Sequence, residues 1–457
     1  MQYTNSNAIQ SLVERQHEFF LSQQTKPISW RIMQLQRLKR ALKDHEQDLY
    51  EAFWSDLHKS EAEAYLTEIS IVVKEINSHI KHLRRWAKPK RVSTPIYLWP
   101  SKSRIITEPL GVALIIAPWN YPLNLMLSPL VGAISSGCCA ILKPSPYAAN
   151  VSSVMENLIR ETYEEDYIAL IQGHRDVNTM LLAQHFDVIF YTGSPAVGKT
   201  VMEAAAKHLT PVILELGGKS PCVVDEGANL DITASRIVWG KTINAGQTCI
   251  APDYLFVHET IKEKLVEKLV QRFEQFYGQD AEKSPTFCRI VSDKHFKRLS
   301  RYLTEGKVIF GGKNDPTARY IQPTLIEVEP EMAIMQEEIF GPILPIMTYN
   351  DINDVVDYVN RHPKPLAFYY FGDTKKAKKI LSCTTSGGAC VNDTLMHIVN
   401  ARLPFGGVGN SGMGHYHEKE SFLAFSHQRS VLQSSNRIDI AAKYPPYEKI
   451  EMFKKII

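Results

Sequence analysis

Two reactive residue types stand where an α/β protein would bring side chains together. Cys249 follows GKTINAGQT, a run of small and polar residues, so its thiol is expected to be exposed and reactive. Glu215 ends the apolar run PVILE and directly precedes Leu216-Gly217-Gly218, where a doubly wound sheet delivers side chains to its crevice. The pair would bring a thiol and a carboxylate together. Alone it is weak evidence, because a buried thiol and a surface carboxylate are the commoner explanation.

A phosphate-binding pattern lies upstream of both residues. Residues 193–200, GSPAVGKT, match G-x-x-x-x-G-K-[ST], the phosphate loop of nucleoside triphosphatases. Asp225, directly after the apolar run PCVV, stands where the second motif of such enzymes would place a magnesium ligand. An ATPase is therefore one hypothesis.

The context of this pattern favours phosphate binding of any kind. FDVIFY predicts a buried strand, Ser194 can cap the helix that follows, and Pro195 suits its first turn. Val197, Val201 and Leu209 are predicted to mark the buried face of that helix. A helix amino terminus binds the pyrophosphate of a dinucleotide as well as it binds ATP.

Glycine and lysine inside this helix refine the interpretation. Gly198 costs about 1 kcal/mol relative to alanine within a helix, which is tolerable if a ligand or an adjoining strand approaches its backbone. Lys199 is expected to face solvent, which argues against an ATPase.

A second glycine pattern, GVGNSG at 407–412, follows Leu403-Pro404-Phe405 instead of a strand. It is therefore predicted to be a glycine-rich loop and not a dinucleotide fingerprint.

Composition excludes several classes of protein. The 457 residues are enough for two or three domains, and a net charge of +3 from 52 basic and 49 acidic residues gives no reason to expect nucleic-acid binding. Seven cysteines without a C-x-x-C pair indicate neither a disulfide scaffold nor a metal site, and Cys138-Cys139 are expected to be small buried thiols. The start MQYTNSNAIQ lacks the features of a secretory signal, so a cytoplasmic protein is expected.

One segment without formal charge, residues 109–142, is long enough to suggest a membrane span. Pro118, Pro122 and Pro129 interrupt it, so it is better interpreted as strand VALIIA, an irregular turn, a short helix and strand CCAILK. Amphipathic helices precede it, PIYLWPSKSRIITEP predicts a hairpin, and strands and helices alternate after residue 143. The fold class predicted is α/β, with a parallel sheet covered on both faces.

The chain resembles the NAD(P)-dependent aldehyde dehydrogenase superfamily over essentially its whole length, and its ending looks most like the class-3 branch of fatty and aromatic aldehyde dehydrogenases. The matching motifs stand in the family's order: APWNYP with Asn120, LKPS with Lys143, YTGSPAVGK, LELGGKSP with Glu215, GQTCIAPDY with Cys249, EEIFGPILPI with Glu338 and Phe340, and PFGGVGNSGMG. This resemblance implies a Rossmann-type cofactor domain, an α/β catalytic domain and a bridging hairpin.

The resemblance also implies a mechanism. Cys249 would attack the aldehyde, Asn120 and the backbone N–H of Cys249 would stabilise the oxyanion, and NAD or NADP would accept the hydride. Glu215 would then activate the water that hydrolyses the thioester. An enzyme that transfers the acyl group to coenzyme A is the alternative, and Glu215 argues for water because that route needs no hydrolytic base. A P-loop ATPase is a remote alternative.

Cofactor contacts, domains and partners follow from the same resemblance. The cofactor-binding residues implied are Trp119, Lys143, Gly193, Ser194, Gly198, Glu338 and Phe340. The ranges implied are 1–86 and 107–214 for NAD(P) binding, 215–410 for catalysis, and 87–106 with 411–457 for the bridging hairpin and tail. A homodimer without a transmembrane segment or metal is expected, acting on medium- or long-chain aliphatic or aromatic aldehydes.

One departure from the family pattern bears on the cofactor. Many members have a glutamate where this chain has Pro146, and that carboxylate would hydrogen-bond the 2′-hydroxyl of NAD and repel the 2′-phosphate of NADP. Lys143, if it reaches the ribose, would attract the phosphate. Use of both cofactors is therefore expected. Cys138 replaces an asparagine common in the family, and nothing in the sequence explains that change.

Overall fold

Strands and helices alternate from residue 112 to residue 216, as the sequence predicts. The computed structural model describes residues 5–440 and 443–447, together with Glu451 and Lys454. Its α-helices are α1 (Ser6–Leu21), α2 (Ile28–Asp44), α3 (Glu46–Leu57), α4 (Glu61–Ala64), α5 (Ser70–Trp86), α6 (Asn124–Ser136), α7 (Ala149–Thr162), α8 (Arg175–Leu182), α9 (Pro195–Ala206), α10 (Leu230–Thr242), α11 (Lys262–Tyr277), α12 (Asp293–Tyr302), α13 (Ile352–Arg361), α14 (Thr374–Cys383) and α15 (Lys419–Ala424).

The strands are short, as is usual for α/β proteins. They are β1 (Lys90–Val92), β2 (Lys102–Pro109), β3 (Val112–Ile116), β4 (Cys139–Lys143), β5 (Ile168–Leu170), β6 (Val188–Gly193), β7 (Val212–Leu216), β8 (Pro221–Val224), β9 (Tyr254–His258), β10 (Lys307–Phe310), β11 (Asn314–Asp315), β12 (Tyr320–Ile321), β13 (Thr324–Glu327), β14 (Ile343–Tyr349), β15 (Ala367–Phe371), β16 (Gly388–Val391), β17 (Gly412–Met413) and β18 (Ser426–Gln433).

The first large sheet is doubly wound. Within the described residues its strand order is β17-β7-β6-β3-β4-β5, and the strands from β3 to β7 pair in parallel. Strand order reverses between β3 and β6, and in such sheets the ligand crevice lies beyond the carboxyl ends of the strands at this point. Every residue of β3 and β4 is buried, as expected for strands covered on both faces.

The second large sheet has the order β10-β13-β14-β9-β8-β15-β16 in the described chain. Its strands pair in parallel except for β10, which runs antiparallel to β13. Phe368, Tyr369 and Tyr370 on β15 are fully buried beneath its covering helices. Together the two sheets confirm the predicted α/β fold class.

A three-stranded antiparallel sheet lies apart from the two large ones. β1 and β2 form a hairpin, but its first strand precedes the stretch 95–109 for which the sequence predicts a hairpin, and Ile96–Leu98 is a 3-10 turn. β18 pairs with β2 along its whole length. This arrangement joins a segment near residue 100 to a segment near residue 430. The predicted tail continues past it, and most of its last residues lie outside the described part of the chain.

The segment without formal charge folds as the sequence predicts. It forms β3, a turn, α6 with Pro129 inside it, and β4. Cys138 and Cys139 are fully buried, as predicted for small thiols. Among the described residues, no helix combines the length and apolar character that crossing a membrane requires.

The predicted buried face of α9 is partly wrong. Val201 is fully buried, but Val197 is 43% exposed and Leu209 is 92% exposed. α9 ends at Ala206, so Leu209 lies beyond the helix with a left-handed φ of 56° and does not follow the helical period. Gly198, and not Val197, occupies the buried position of the first turns.

Candidate active site

The carboxyl ends of β3, β6 and β7 open onto one cavity of about 670 Å³. The second sheet closes its other side through Glu338 and Phe340, which precede β14. Eight of the ten predicted site residues line this cavity, and Lys143 and Gly198 do not. The eight are Trp119, Asn120, Gly193, Ser194, Glu215, Cys249, Glu338 and Phe340.

Cys249 is presented by a tight turn and not by a strand. The 3-10 segment Ile243–Gly246 before it contains Asn244 and Ala245, both with a left-handed φ of 52°. A side chain at Gly246 would place its Cβ 2.3 Å from a backbone oxygen, so only glycine fits there. The turn therefore has one conformation, which fixes the direction of the thiol.

Asn120 is tied to the turn that carries Cys249. Its side-chain Nδ2 donates to the carbonyl of Gln247 at 2.9 Å, and its backbone carbonyl accepts from Asn244 Nδ2 at 2.8 Å. Asn120 is 2% exposed. The amide donor expected at the oxyanion is thus held against the thiol loop from two directions.

Glu215 stands on β7 between two other strands. Its register partners are Thr192 on β6 and Gly412 on β17. The residue is 3% exposed, and neither carboxylate oxygen has a hydrogen-bond partner among the described residues. Burial raises the pKa of this carboxyl well above its usual range. A buried carboxyl without partners is costly, and such groups concentrate at functional sites.

The thiol of Cys249 shares this environment. Burial raises its pKa, and the carboxyl groups of Glu338 and Glu215 raise it further. The backbone N–H groups of Cys249 and Ile250 oppose that rise. The same N–H groups are the backbone donors that a developing oxyanion next to the sulfur would need.

Glu338 packs on the glycine pair that follows Glu215. A Cβ at Gly217 would lie 2.0 Å from Glu338 Oε2, so the absence of a side chain there makes room for the carboxyl. Burial raises the pKa of Glu338 to about 8, with a smaller contribution from Asp253. Phe340, with a left-handed φ of 52°, contacts Trp119 edge-on at a ring separation of 5.4 Å.

The amino terminus of α9 points into the same cavity. Ser194 is the capping residue and accepts from the N–H of Val197 at 3.4 Å, as predicted. Gly198 faces β7, where an added Cβ would meet Leu216 at 2.8 Å. The sequence left open whether a ligand or a strand approaches this glycine, and the structure shows that a strand does.

These features fit a dinucleotide cofactor. Gly193 and Ser194 place a helix amino terminus at the cavity, which suits a pyrophosphate. Trp119 and Phe340 add flat apolar surface for a planar ring. The cavity volume of about 670 Å³ is in the range of cofactor sites.

Lys143 is placed differently from the other predicted residues. It is 1% exposed, and its Nζ donates to the carbonyl of Pro144 at 2.6 Å. Burial lowers the pKa of this ammonium to about 8. The structure does not bring the ammonium to the cavity, so its contact with the ribose stays a prediction. Pro146 is exposed, as a residue facing a ribose would have to be.

The two ATPase motifs do not meet. Lys199 is exposed on α9, as predicted, and belongs to the first sheet region. Asp225 follows β8 in the second sheet, where it accepts from Tyr370 Oη at 2.9 Å and pairs with Lys376 at 3.0 Å. Because these partners occupy its carboxylate, Asp225 is a structural residue.

Among the cavity residues that sequence reasoning missed are two on α12. His295 lies 5.1 Å from the ring of Trp119, and burial lowers the pKa of its imidazole to about 4. Arg298 donates to the carbonyls of Glu338 at 3.1 Å and Ile339 at 2.6 Å. It thereby holds the loop that carries Glu338. No motif contains these residues, and the amphipathic pattern of α12 indicates only a surface helix.

Comparisons with known proteins agree with this geometry. The sequence profile of the Aldehyde dehydrogenase family matches residues 1–431. The chain is 48% identical to the 4,4'-diaponeurosporen-aldehyde dehydrogenase of Staphylococcus aureus over 434 residues, which cover 94% of this chain and 95% of that one. It is 44% identical to a dog (Canis lupus familiaris) protein named aldehyde dehydrogenase, dimeric NADP-preferring, over 96% of this chain and 98% of that one.

A solved structure has the same fold. The substrate-bound state of the Staphylococcus aureus protein AldH superposes with a TM-score of 0.96 at 46% identity and covers 98% of each chain. Other relatives, at 44% to 45% identity, are named members of aldehyde dehydrogenase family 3, which confirms the predicted class-3 branch. The chain belongs to the aldehyde dehydrogenase family and is an NAD(P)-dependent enzyme that oxidises aldehydes to carboxylic acids.

Proposed function

We propose that Cys249 is the nucleophile of this aldehyde oxidation, with Asn120 and Glu215 as its two partners. The observation that supports this most directly is that a thiol, an amide donor and a carboxyl without partners line one cavity. In the first step the sulfur bonds to the carbonyl carbon of the aldehyde, and the thiol proton leaves to solvent. The product on Cys249 is a thiohemiacetal whose oxygen carries the developing charge.

Asn120 and the backbone N–H of Cys249 stabilise that oxygen. Asn120 Nδ2 now donates to the Gln247 carbonyl at 2.9 Å, so it is already directed to the loop of the thiol. Removing one oxyanion donor typically slows an enzyme by about 100- to 1,000-fold. A bound oxidised nicotinamide supplies the hydride acceptor, and a thioester is left on Cys249.

Glu215 is the base for the water that hydrolyses the thioester. Its two oxygens are free to accept from a water molecule that enters the cavity, and such solvation lowers the pKa that burial has raised. A coenzyme A route would require no such base. We therefore propose water as the acyl acceptor, and transfer to coenzyme A is the outcome that would contradict this step.

We further propose that Trp119, Gly193, Ser194, Glu338 and Phe340 hold the cofactor, since all five line the cavity. Lys143 and Gly198 act from outside the cavity lining. We keep as a proposal the domain ranges 1–86 with 107–214 for the cofactor, 215–410 for catalysis, and 87–106 with 411–457 for bridging. Pro146 leaves room for a 2′-phosphate, so NAD and NADP are both proposed cofactors.

The proposed substrates are medium- or long-chain aliphatic or aromatic aldehydes. Burial raises the pKa values of the half-buried Tyr121 and of the buried Tyr369 and Tyr416, and each receives a smaller contribution from the nearby Cys249. Such aromatic surroundings favour apolar substrates.

We also propose a homodimer, which the word dimeric in the name of the dog relative supports. A cytoplasmic location is proposed as well, and it suits seven cysteines that are all free.

The first test is replacement of the nucleophile. Cys249→Ala is expected to abolish oxidation of octanal and benzaldehyde, while the dissociation constant for NAD⁺ stays within about 2-fold of the parent, the scatter of independent effects. Cys383→Ala, which removes an exposed thiol, is the matched control and should retain full activity. Turnover by Cys249→Ala would overturn the assignment. Stimulation of the parent by coenzyme A, with thioester release, would overturn water as the acceptor.

A further inference from the structure

A buried ion pair lies directly behind Asn120. Lys59 Nζ and Glu68 Oε1 are 2.8 Å apart, and both side chains are 0% exposed. Lys59 follows α3, and Glu68 lies on the π-helical turn Tyr65–Ile69 between α4 and α5. Neither residue lines the cavity or belongs to a motif that the function uses. A buried charge pair is expensive, so its position calls for an explanation.

Both members of the pair contact the segment that carries Asn120. Lys59 Nζ donates to the backbone carbonyl of Asn120 at 3.3 Å, and it lies 4.5 Å from the ring centre of Tyr121. Glu68 Oε2 accepts from the backbone N–H of Asn124 at 2.9 Å. The pair therefore contacts the turn between β3 and α6 in its middle, at Asn120, and at its carboxyl end, at Asn124.

The π-helical turn provides the geometry for this contact. A π-turn inserts one residue into a helix and rotates the side chains that follow, and such turns are frequent at functional sites. The same helix reaches the second reacting loop, because Glu63 Oε1 accepts from the N–H of Asn244 at 2.7 Å. The helix thus contacts the Asn120 turn and the Cys249 turn at once.

We propose that Lys59 and Glu68 are positioning residues that hold the backbone of Asn120 so that its side-chain amide meets the oxyanion. The proposal rests on the role of Asn120 given above. Burial raises the pKa of Glu68, while the Lys59 ammonium and the N–H groups of Asn124 and Leu123 oppose that rise. In either protonation state, Glu68 accepts from Lys59 and keeps the cation beneath the Asn120 carbonyl.

The test removes both charges together, because one buried charge left alone would destabilise the fold. Lys59→Met with Glu68→Gln is expected to lower the rate constant of the NADH burst with octanal by about 10- to 100-fold, part of the effect of losing an oxyanion donor. NAD⁺ affinity should not change. Glu75→Gln, which removes a buried carboxylate from α5, is the matched control and should leave the burst unchanged.

A double-mutant cycle separates positioning from general damage. In an Asn120→Ala background, removal of the pair should slow the burst further by no more than about 2-fold, the scatter of additive effects. A full multiplicative loss in that background, or no loss in the parent background, would overturn the proposal. If Asn120→Ala itself leaves the burst unchanged, the oxyanion role is wrong, which is a different result.

A second variant covers the case in which the double variant does not fold. Lys59→Met alone leaves no buried charge without a partner, because burial raises the pKa of Glu68 and the carboxyl can take up a proton while still accepting from Asn124. Its folding is checked by thermal unfolding and NAD⁺ binding. It should show the same loss in the parent and the same lack of further loss with Asn120→Ala, and additive effects in this variant would equally overturn the proposal.

Discussion

Burial raises the pKa of both Cys249 and Glu215, which disfavours the thiolate and the carboxylate in this arrangement. A thiol must lose its proton to attack, and a base must lose its proton to activate water. The carboxyl groups of Glu338 and Glu215 raise the pKa of the thiol further. The two chemical steps therefore depend on two different proton losses.

Replacement of Glu215 should separate these steps. Glu215→Gln keeps the shape of the side chain but cannot accept a proton from water, so a burst of NADH is expected, followed by turnover reduced by about 100-fold or more. Stopped-flow absorbance with octanal measures both phases. In the parent, turnover should fall as pH drops below the raised pKa of Glu215, and this dependence should vanish in the variant. Loss of the burst with turnover preserved would contradict the role.

The pH dependence of the free energy of unfolding tests whether Glu338 is protonated in the folded chain. Its ordinary pKa of 4.5 is raised to about 8 in the folded chain, so between these values the folded state holds a proton that the unfolded state has lost. The free energy of unfolding therefore falls as pH rises through this window.

Glu338→Gln is neutral throughout, so its free energy of unfolding should fall less between about pH 5 and about pH 8 than that of the parent. The difference expected is at least about 1.4 kcal/mol, the equivalent of one pKa unit. Urea unfolding at the two pH values measures it. Glu331→Gln, at an exposed position, is the control and should follow the parent. Equal pH dependence of Glu338→Gln and the parent would show that this carboxyl is not held protonated.

Sequence reasoning identified the residues proposed to react but not the distant residues that contact their loops. Cys249 and Glu215 could be predicted because small residues, a strand end and a glycine pair surround them in the sequence. Lys59 acts on Asn120 across 61 positions, and Arg298 acts on Glu338 across 40. A single sequence gives no sign of such distant pairs, because Lys59 and Arg298 alone are ordinary charged residues.

At the scale of elements, the reversal of strand order between β3 and β6 explains the location of the cavity. The turns after these strands carry Asn120 and Ser194, and both line the cavity. The strand-turn-helix order of this region followed from the sequence because β-rich runs and capping residues are local signals. The buried face of α9 could not be predicted from the sequence in the same way. A glycine, and not a valine, occupies the position where this helix approaches β7.

Replacement of Gly198 tests how closely α9 packs against β7. Gly198→Ala should gain about 1 kcal/mol of helix propensity, but its Cβ would meet Leu216 at 2.8 Å. Crowding of a packed side chain costs about 1 to 3 kcal/mol, so the melting temperature should stay equal or fall. Because Leu216 lines the cavity, NAD⁺ should also bind more weakly.

A glycine with open space around it, in the turn between β8 and α10, is the control for crowding. Gly227→Ala meets nothing within 4 Å, so this control should be neutral or slightly stabilising. Thermal unfolding and NAD⁺ titration of both variants provide the comparison. A clear stabilisation by Gly198→Ala with unchanged NAD⁺ affinity would show that the helix and β7 are not tightly packed.

At the scale of the whole molecule, the antiparallel sheet of β1, β2 and β18 has an unpaired edge and exposed apolar side chains that packing within one chain does not explain. β18 pairs with β2 on one side, and no other described strand pairs with its second side. Open edges of this kind favour association with another chain. Large apolar side chains are also exposed around this sheet, with Ile96 at 72%, Trp99 at 60% and Leu432 at 49%. Such a group of exposed apolar residues is typical of an interface.

The last prediction concerns this surface. The parent should have a solution mass of about twice the 51.9 kDa of one chain. Burying an isoleucine or a larger side chain contributes roughly 1.5 to 3 kcal/mol, so Ile96→Glu with Trp99→Glu should remove several such contributions and add unpaired charge to the interface. We expect this variant to be monomeric in light scattering after size-exclusion chromatography. Because both positions are exposed in the single chain, its fold should persist.

Leu209→Glu is the matched control, since Leu209 is 92% exposed but lies after α9, away from the antiparallel sheet. It should leave the mass unchanged. If the parent is a monomer, the proposed homodimer is wrong. If Ile96→Glu with Trp99→Glu stays dimeric while Leu209→Glu dissociates, the dimer forms through another surface, and the exposed edge of β18 has a different partner.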